Sequence, residues 1–392
     1  MRRTSALWEV FVARFEEALG RYRKRRLTAE EAGELLGVSG RHFRRLVDRY
    51  EEEGVDGLRD RRLGKPSARR APAGELRRMQ RLYQESYRDF TVKHFHEQLQ
   101  RRHGYKLCYT VTRLALQAAG LVVKTKRGGA HRKKRERRPL PGMMLFQDGS
   151  THRWMPTLER EFDLIATLDD ATSTVYSLFL VEQEGTASSF RGLRETIAGN
   201  GLFLTLYTDR GSHYFHTPKA GGKADKTKLT QVGRALQQLG ITHIPSYSPE
   251  SRGRMERAFG TLQNRLPQEL RLAGISTLEA ANRYLRDEFL PDYNQRFTIP
   301  AAEPGTAFIP YVGRPLEDVL CIQEDRQVAR DNCVQWKGLF LQIPPQRHRH
   351  HYVKATVRVH EYPDGNFAIF DGPSCLARFD PSGKPINASR AA

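Results

Sequence analysis

The stretch I-P-S-Y-S-P-E-S-R-G-R-M-E-R-A-F-G-T-L-Q-N, residues 244–264, passes from a polar loop into an amphipathic run. Pro and Ser just before such a run are typical of a helix start, so the sequence predicts one helix from Glu250 to about Leu272. Glu256 lies near the start of this helix, where a carboxylate is either an ion-pair partner or a metal ligand. Three arginines flank it: Arg252, Arg254 and Arg257.

Two aspartates earlier in the sequence favour the interpretation of Glu256 as a metal ligand. Asp148 follows the apolar residues of L-F-Q-D-G, and Asp209 follows those of L-Y-T-D-R-G-S, so each is predicted at the end of a strand. If these two carboxylates and Glu256 converge, they form a cage of the oxygen ligands that Mg²⁺ prefers. Asp169 and Asp170 are alternative candidates for the first metal ligand. We interpret them as turn residues because Asp148 better fits the end of the opening strand.

Composition limits the class of protein. The chain has 392 residues, enough for two or three domains, and 39% hydrophobic and 28% charged residues, as in soluble globular proteins. No apolar run approaches the roughly 20 residues that span a bilayer, so no membrane partner is expected. The four cysteines form no C-x-x-C pair, which favours reduced thiols and a cytoplasmic protein.

The net charge of +20 is concentrated in the first third of the chain. Residues 1–140 hold 36 Lys and Arg against 17 Asp and Glu, whereas residues 141–392 hold 29 against 28. Such asymmetry indicates a nucleic-acid-binding region joined to a near-neutral body, although a basic surface that only aids solubility would look the same.

Helix signals fill residues 1–60. Ser5 to Lys24 carries an apolar stripe at helical spacing, and Thr28-Ala29-Glu30-Glu31 is a capping box that opens a helix over Ala29 to Leu36. Gly37-Val38-Ser39 is a tight turn before a helix over Gly40 to Glu52. This order is typical of a helix-turn-helix, although an ordinary three-helix packing remains the alternative. The basic face predicted to contact DNA consists of Arg41, His42, Arg44 and Arg45.

A second helical unit follows a Gly- and Pro-containing linker. It comprises predicted helices over Gly74 to Tyr87, Thr91 to Arg101 and Tyr109 to Ala119. The last helix is predicted to have Val111, Leu114, Ala115 and Ala118 inward and Thr110, Thr112, Arg113 and Gln117 exposed. The basic run from Lys124 to Arg138 then reads as a linker that tracks phosphates. Candidate DNA contacts are Thr110, Thr112, Arg113, Lys124, Lys126, Arg127, Arg132, Lys133, Lys134, Arg252, Arg254 and Arg257.

Residues 141–275 alternate between strand and helix patterns, which predicts a mixed five-stranded sheet with helices on its faces. The predicted strands are 143–146, 162–168, 175–181, 202–207 and 241–244, and the intervening helices are 188–199 and 228–239. A further capping box, Ser276-Thr277-Leu278-Glu279, opens a helix to about Phe289, and Asp292 to Phe297 reads as irregular. Short strands near the C-terminus, with the turn signal Asp364-Gly365-Asn366, predict a small SH3-like β-barrel.

The sequence resembles the DDE transposases of bacterial insertion sequences, in the retroviral integrase superfamily, and is most similar to the group called ISNCY. Four motifs carry the resemblance: L-F-Q-D-G-S at Leu145, I-A-T-L-D-D-A-T at Ile165, Y-T-D-R-G-S-H-Y at Tyr207, and S-P-E-S-R-G-R-M-E-R-A-F-G-T-L-Q at Ser248. The likeness covers residues 1 to about 385. The 46 residues between Asp209 and Glu256 exceed the usual spacing of the family, and we assign the surplus to a loop at 215–227.

The resemblance implies a ribonuclease-H-like (integrase) catalytic core in a multidomain chain, between all-α helix-turn-helix units and the β-barrel. It implies that Asp148, Asp209 and Glu256 are catalytic and hold two Mg²⁺ ions, for which Mn²⁺ can substitute. The expected segments are 1–60 and 74–122 for the helix-turn-helix domains, 61–73 and 123–140 for linkers, 141–275 for the core, 276–325 for a helical extension and 326–385 for the barrel.

The resemblance further implies binding to double-stranded DNA, at the element's ends and at the target, by a homo-oligomer in the bacterial cytoplasm. Water would attack at the element's end and free a 3′-OH, which would then attack target DNA. Two alternatives stay open: a DNA-binding regulator with an inactive core, and a nuclease of the same fold that does not join strands.

Overall fold

A computed structural model describes residues 5–61, 70–124, 135–218, 222–225, 227–247, 253–346 and 349–386. The chain divides into two compact units, residues 1–79 and residues 80–392. Among the helices of the described residues, none is both long enough and apolar enough to cross a membrane.

The first unit is a helix-turn-helix built on local signals. Its helices are α1 (Ser5–Arg23), α2 (Ala29–Leu36) and α3 (Gly40–Glu53), followed by a 3₁₀ turn (Gly54–Leu58). The capping box predicted for α2 is present: the Thr28 hydroxyl accepts from the Glu31 amide, and the Glu31 carboxylate accepts from the Thr28 amide at 2.7 Å. Ser39 caps α3 by accepting from the amide of His42. Phe15 and Phe43 meet in the core with ring centroids 5.9 Å apart.

Glycine permits the close packing of the turn in this unit. A Cβ on Gly33 would lie 2.6 Å from the carbonyl oxygen of Val38, so any larger residue would push the turn away from α2. Gly37, at the end of α2, has a φ of +68°, the left-handed region that favours glycine.

Helix α4 (Ala73–Ser86) leads into the second unit, where α5 (Val92–His103) and α6 (Tyr109–Ala118) follow. The helices lie where the sequence predicts them, but the inward face of α6 was predicted wrongly. Leu114 is 53% exposed, whereas Thr112 and Leu116, four residues apart, are fully buried. The helix is rotated because Thr112 finds buried hydrogen-bond partners that an apolar pattern does not reveal.

A mixed five-stranded sheet organises the second unit, as predicted. Its strands are β1 (Leu145–His152), β2 (Phe162–Asp169), β3 (Val175–Val181), β4 (Thr205–Thr208) and β5 (Thr242–Pro245). The order across the sheet is β3-β2-β1-β4-β5; β1 to β3 pair antiparallel, whereas β4 runs parallel to both β1 and β5. This is the ribonuclease-H-like arrangement.

Helices cover both faces of the sheet. On one face α7 (Thr186–Asn200) and α8 (Gln231–Gln238) pack against Leu145 and Leu206. On the other face α9 (Gly253–Gln263), α10 (Leu266–Leu272) and α11 (Leu278–Tyr284) pack against Phe146 and Leu164. Successive residues of a strand point to opposite faces, so Leu145 and Phe146 mark the two sides of β1.

Two helical segments differ most from the prediction. The single helix expected to run to Leu272 is two helices, because the chain turns at Arg265 (φ −135°) and α10 then begins. Pro267 lies in the first turn of α10, where no backbone donor is needed. The stretch from Asp292, predicted to be irregular, belongs to α12 (Leu290–Phe297). A π-helical turn (Leu285–Phe289) carries the chain into α12 and buries Tyr293, which makes this segment part of the core.

The C-terminal strands form two small sheets. One has the order β11-β10-β9-β6 and the other pairs β7 with β8. The strands are β6 (Ile322–Gln327), β7 (Cys333–Trp336), β8 (Leu339–Gln342), β9 (Thr356–Glu361), β10 (Phe367–Asp371) and β11 (Ser374–Phe379). The two sheets share one apolar core, and the hairpin turn predicted at Asp364 to Asn366 is present. Closure into a barrel is not confirmed among the described strands.

A buried carboxylate joins α5 to the helices beside the core. Glu269 of α10, 6% exposed, lies 2.7 Å from Nε2 of His94 and accepts from Nε2 of Gln98. Arg265 of the same helical region forms an ion pair with Glu97 at 2.6 Å. These contacts hold α5 against the helical layer that covers the sheet.

Replacing Glu269 by Ala should destabilise the second unit. The change leaves His94 and Gln98 buried without their acceptor, and breaking a buried pair in this way costs about 3–5 kcal/mol in free energy of unfolding. Thermal unfolding would measure the loss. The control is Glu288→Ala at an exposed position, which should change stability by about 0.5 kcal/mol or less; equal effects of the two changes would contradict the described contact.

The same carboxylate should make stability depend on pH. Burial by itself raises the pKa of Glu269, but the hydrogen bond from His94 and the nearby charges of His94, Arg102 and Arg101 outweigh it, and the pKa is lowered. The contribution of Glu269 is therefore complete above the unfolded-state pKa of about 4.3 and is lost as pH falls through the lower folded pKa. The difference in melting temperature between the native protein and Glu269→Gln should shrink with acidification below about pH 4; a constant difference would contradict the assignment.

Candidate active site and nucleic-acid interface

The parallel pairing of β1 with β4 brings the two predicted aspartates together. Leu145 lies opposite Leu206 and Phe146 lies opposite Tyr207. Continuing this register by two residues brings Asp148 level with Asp209, just beyond the last residue of β4. Asp148 was predicted at a strand end, and this is wrong: it is the fourth of eight residues of β1 and pairs with Ala166 of β2. The strand continues because Gly149 and the polar residues after it remain hydrogen-bonded to β2.

Alternation along β1 places Asp148 on the face covered by α9. Phe146, two residues earlier, packs in the same cluster as Met255 and Phe259 of α9. The Gln263 amide at the end of α9 donates to the Ser150 hydroxyl at 3.2 Å, two residues after Asp148. Glu256 follows the buried Met255 and is itself exposed. The structure thus brings Asp148 and Asp209 to one level and places Glu256 on the helix that packs over the same face.

The three carboxylates are donors of the kind that suits Mg²⁺. Within the part of the chain that the structure describes, however, no three His, Cys, Asp or Glu side chains are grouped closely enough to hold a metal ion. Residues 248–252, directly before α9, lie outside the described residues. The described chain therefore supplies the donor chemistry without an assembled three-carboxylate cage.

Hydrogen bonds fix the loop that carries Asp209. Its Oδ1 accepts from the Gly211 amide at 2.8 Å, and its carbonyl oxygen accepts from the Thr208 hydroxyl at 2.9 Å. Nε2 of His243 lies 3.0 Å from the same hydroxyl, and burial lowers the pKa of His243 to about 3. Because the Thr208 hydroxyl already donates its hydrogen to Asp209, the neutral His243 ring donates to this hydroxyl. The ring thus orders the start of the loop without adding charge beside the aspartate.

Two polar side chains near the aspartates were not predicted. Nε2 of His213 lies 3.4 Å from Oε1 of Glu184, and the Glu184 carboxylate is so close to Gly149 that a Cβ there would lie 2.3 Å from its Oε2. His213 belongs to the T-D-R-G-S-H-Y motif, but nothing in the sequence near Glu184 indicates that its side chain reaches β1. The contact between His213 and Glu184 joins segments far apart in the sequence, so no local pattern predicts it.

The turn between β2 and β3 contains Asp169 and Asp170, both fully buried. Asp169 accepts from the amides of Gly142 and Thr172, each at 2.8 Å, so it holds the turn. Burial raises the pKa of the Asp169 carboxyl despite these hydrogen bonds. Asp170 instead pairs with arginines, among them Arg254 of α9, at 2.5 Å.

Comparison with known proteins places this architecture in a family. A helix-turn-helix domain model matches residues 16–67. The chain is 30% identical over 355 residues to y4bF, an inferred transposase of Sinorhizobium fredii (strain NBRC 101917 / NGR234), covering 90% of this chain and 77% of the relative. The chain belongs to the same transposase family. The transposase of insertion sequence IS1202 from Streptococcus pneumoniae is 26% identical over 315 residues, covering 71% of this chain and 66% of that protein.

Retroviral integrases are among the solved structures with similarity to the transposase. The catalytic core domain of HTLV-2 integrase in complex with magnesium matches with a TM-score of 0.30 and 19% identity, covering 41% of this chain and 92% of that one. A chain of the simian T-cell lymphotropic virus intasome in complex with PP2A regulatory subunit B56 gamma matches with a TM-score of 0.33 and 16% identity, covering 76% and 95%.

The first helix-turn-helix of the transposase presents a basic face. Arg41, Arg44 and Arg45 of α3 are exposed and His42 is half-buried. Arg44 forms an ion pair with Glu30 at 3.3 Å, and both side chains are more than half exposed, so water and salt weaken the pair. These arginines remain available to phosphates.

The predicted contacts of the second helical unit divide into three groups. Thr110 and Lys124 are exposed and Arg113 is half-buried. Thr112 was predicted to be exposed, which is wrong: its hydroxyl is fully buried, 3.0 Å from Nδ1 of His96 and 3.3 Å from the Tyr105 hydroxyl. Outside the described residues lie Lys126, Arg127, Arg132, Lys133 and Lys134, and also Arg252, which precedes α9.

The other two arginines of the α9 region differ from each other. Arg257 is exposed, and its Nε donates to the carbonyl oxygen of Gly253 at 2.8 Å. Arg254 was predicted to contact DNA, but its side chain is only 9% exposed and pairs with Asp170, so it holds protein rather than presenting a free cation. The sequence could not distinguish the two because Asp170 lies 84 positions earlier.

Thr112 and Thr110 offer a matched test of this correction. Thr112→Val should lower the free energy of unfolding by about 1–3 kcal/mol, because the buried groups of His96 and Tyr105 lose a hydrogen-bond partner. Thr110→Val, at an exposed site two residues away, should change it by about 0.5 kcal/mol or less. Thermal unfolding of the two variants measures both; a larger loss from Thr110→Val would mean that α6 is rotated from the described position.

Proposed function

We propose that this transposase cuts and joins DNA with Asp148, Asp209 and Glu256 as its catalytic carboxylates, and that these side chains hold two Mg²⁺ ions. The observation that carries the proposal is the parallel pairing of β1 with β4, which brings Asp148 level with Asp209 on the face that α9 covers. When bound, two such ions activate an oxygen nucleophile and neutralise the leaving oxygen of a phosphodiester.

The chain's own residues have separate parts in this function. The sheet fixes the two aspartates, because neighbouring strands cannot shift without breaking their hydrogen bonds. Helix α9 delivers Glu256, and its packing through Met255 and Phe259 sets the side of the sheet that the carboxylate approaches. Water attacks a phosphodiester at the element's end, and the bond that breaks leaves a 3′-OH on the element and a 5′-phosphate on the flanking strand. This hydroxyl then attacks a phosphodiester of target DNA in the same site, joins to its phosphorus and releases the 3′-OH of the cut target strand.

The basic first third of the chain supports the assignment of the substrate. The exposed arginines of α3 and the exposed Thr110 of α6 are available for double-stranded DNA at the element's ends. We assign phosphate contacts to the Lys124 to Arg138 segment from its basic sequence. We further propose the segment division given above, a homo-oligomer that holds two ends, and a site of action on DNA in the bacterial cytoplasm.

The test uses a plasmid that carries the element's own ends. Native protein should nick the ends and form joined products with Mg²⁺ or Mn²⁺. Asp148→Asn, Asp209→Asn and Glu256→Gln should each bind ends normally but lower the single-turnover cleavage rate by about 10²-fold or more. Glu279→Gln, an equal change at an exposed position of α11, should cleave at the native rate.

Each contrary result has its own meaning. Native cleavage by Glu256→Gln would show that Glu256 is not a catalytic carboxylate. Binding without any cleavage by native protein, with either metal, would support a regulator with an inactive core. Nicking without joined products would indicate a nuclease that does not transfer strands.

A further inference from the structure

Asp170 joins three segments that are far apart in the sequence. Its carboxylate, fully buried in the β2–β3 turn, contacts the Arg254 guanidinium of α9 at 2.5 Å and the Arg135 guanidinium. Its second oxygen accepts from the amide of Arg138 at 2.8 Å. One carboxylate thus contacts the end of the basic linker and the start of α9.

Further contacts tighten the same junction. The second terminal nitrogen of Arg254 donates to the carbonyl oxygen of Arg135 at 2.5 Å. The Arg137 guanidinium donates to the carbonyl oxygens of Asp170 at 2.8 Å and Ala171 at 3.2 Å. Linker, turn and helix therefore contact one another in pairs, and none of the three can move without breaking hydrogen bonds to the other two.

The physical chemistry of a buried ion pair favours a role in geometry over a role in stability. Removing two charges from water costs about as much as their attraction returns, so such pairs add little net stability, and their best-attested use is to fix one arrangement of the chain. The planar guanidinium of Arg254 reaches two acceptors at once, the Asp170 carboxylate with one terminal nitrogen and the Arg135 carbonyl oxygen with the other. The cluster therefore specifies where α9 begins.

The contact of Arg254 with Asp170 lies at the end of α9 that carries Glu256. Glu256 lies two residues after Arg254, in the first turn of the helix, while the far end of α9 is held by the bond from Gln263 to Ser150. Packing of Met255 and Phe259 sets which face of α9 meets the sheet. The contact with Asp170 supplies the polar restraint at the end of α9 that carries Glu256.

We propose that Asp170 is a positioning residue of the transposase, which couples the DNA-tracking linker to the placement of Glu256. Phosphates that engage the linker hold Arg135 to Arg138 in place, and through Asp170 and Arg254 this orders the first turn of α9. The inference rests on the proposed role of Glu256 as a catalytic carboxylate.

Asp170→Asn tests the coupling, because it keeps the shape of the side chain and removes its charge. The single-turnover rate of end cleavage should fall about 10-fold or more, since a misplacement of about 1 Å at a reacting group can cost about 10²-fold. The dissociation constant for end DNA should stay within about twofold of native, because the side chain of Asp170 is fully buried. Asp325→Asn is the matched control: its carboxylate accepts from Arg358 at 2.8 Å in an exposed pair of the C-terminal sheet, and it should cleave at the native rate.

Hydrogen exchange in α9 supplies a readout that a purely structural role would not move. In native protein and in Asp325→Asn, end DNA should slow amide exchange over residues 254–258. In Asp170→Asn the slowing should be lost although DNA is still bound. Equal slowing in Asp170→Asn, or cleavage at the native rate, would overturn the inference.

A double variant keeps the test decisive if Asp170→Asn folds poorly with Arg254 left as a buried, unpaired cation. Asp170→Asn/Arg254→Met removes both charges, a change that proteins often tolerate. It should fold, bind ends and still cleave about 10-fold more slowly; native cleavage by this variant would equally overturn the inference. Glu256→Gln run in parallel separates the two ideas: if it cleaves normally the catalytic assignment fails, whereas if only the Asp170 variants cleave normally this inference alone fails.

Discussion

The parallel pairing of β1 with β4 is the contact on which the rest of the transposase depends. These strands come from positions 61 residues apart, and their register alone brings Asp148 level with Asp209. A shift of one residue would turn every following side chain of β1 to the opposite face, and Asp148 would then point towards α7. The apolar residues on both sides, Leu145 under α7 and Phe146 under α9, oppose such a shift because each fits only its own core.

Around this sheet, buried polar groups determine which neighbouring segment attaches where. Glu269 holds α5 through His94 and Gln98, and Asp170 holds α9 and the basic linker through arginines. An apolar layer would accept several similar orientations of a helix, whereas a buried carboxylate accepts only the one that brings its partners. The hydrophobic clusters therefore supply most of the stability, and the carboxylates select one arrangement.

The sequence predicted those features that local chemistry controls. Apolar spacing and the Thr28 and Ser39 caps located α2 and α3 to within a residue, and the strand-helix alternation gave the five-stranded sheet. Aspartates before glycines drew attention to Asp148 and Asp209, which the strand register brings to one level. Two of the errors concern side chains whose partners lie elsewhere in the sequence: Thr112 is buried beside His96, and Arg254 beside Asp170. Composition describes a side chain's chemistry but not its partner, so these two read as exposed DNA contacts.

The packing of α5 on α10 has a consequence for the distance between a bound DNA sequence and the position of the cut. Glu269 fixes α5, and α6 follows it through the bond between His96 and Thr112, so α6 and the sheet belong to one compact unit. Any DNA sequence bound by α6 would therefore lie at a fixed distance from Asp148 and Asp209. The spacing in base pairs between a recognised motif and the cut would then be a property of the fold, inherited unchanged by every copy of the element.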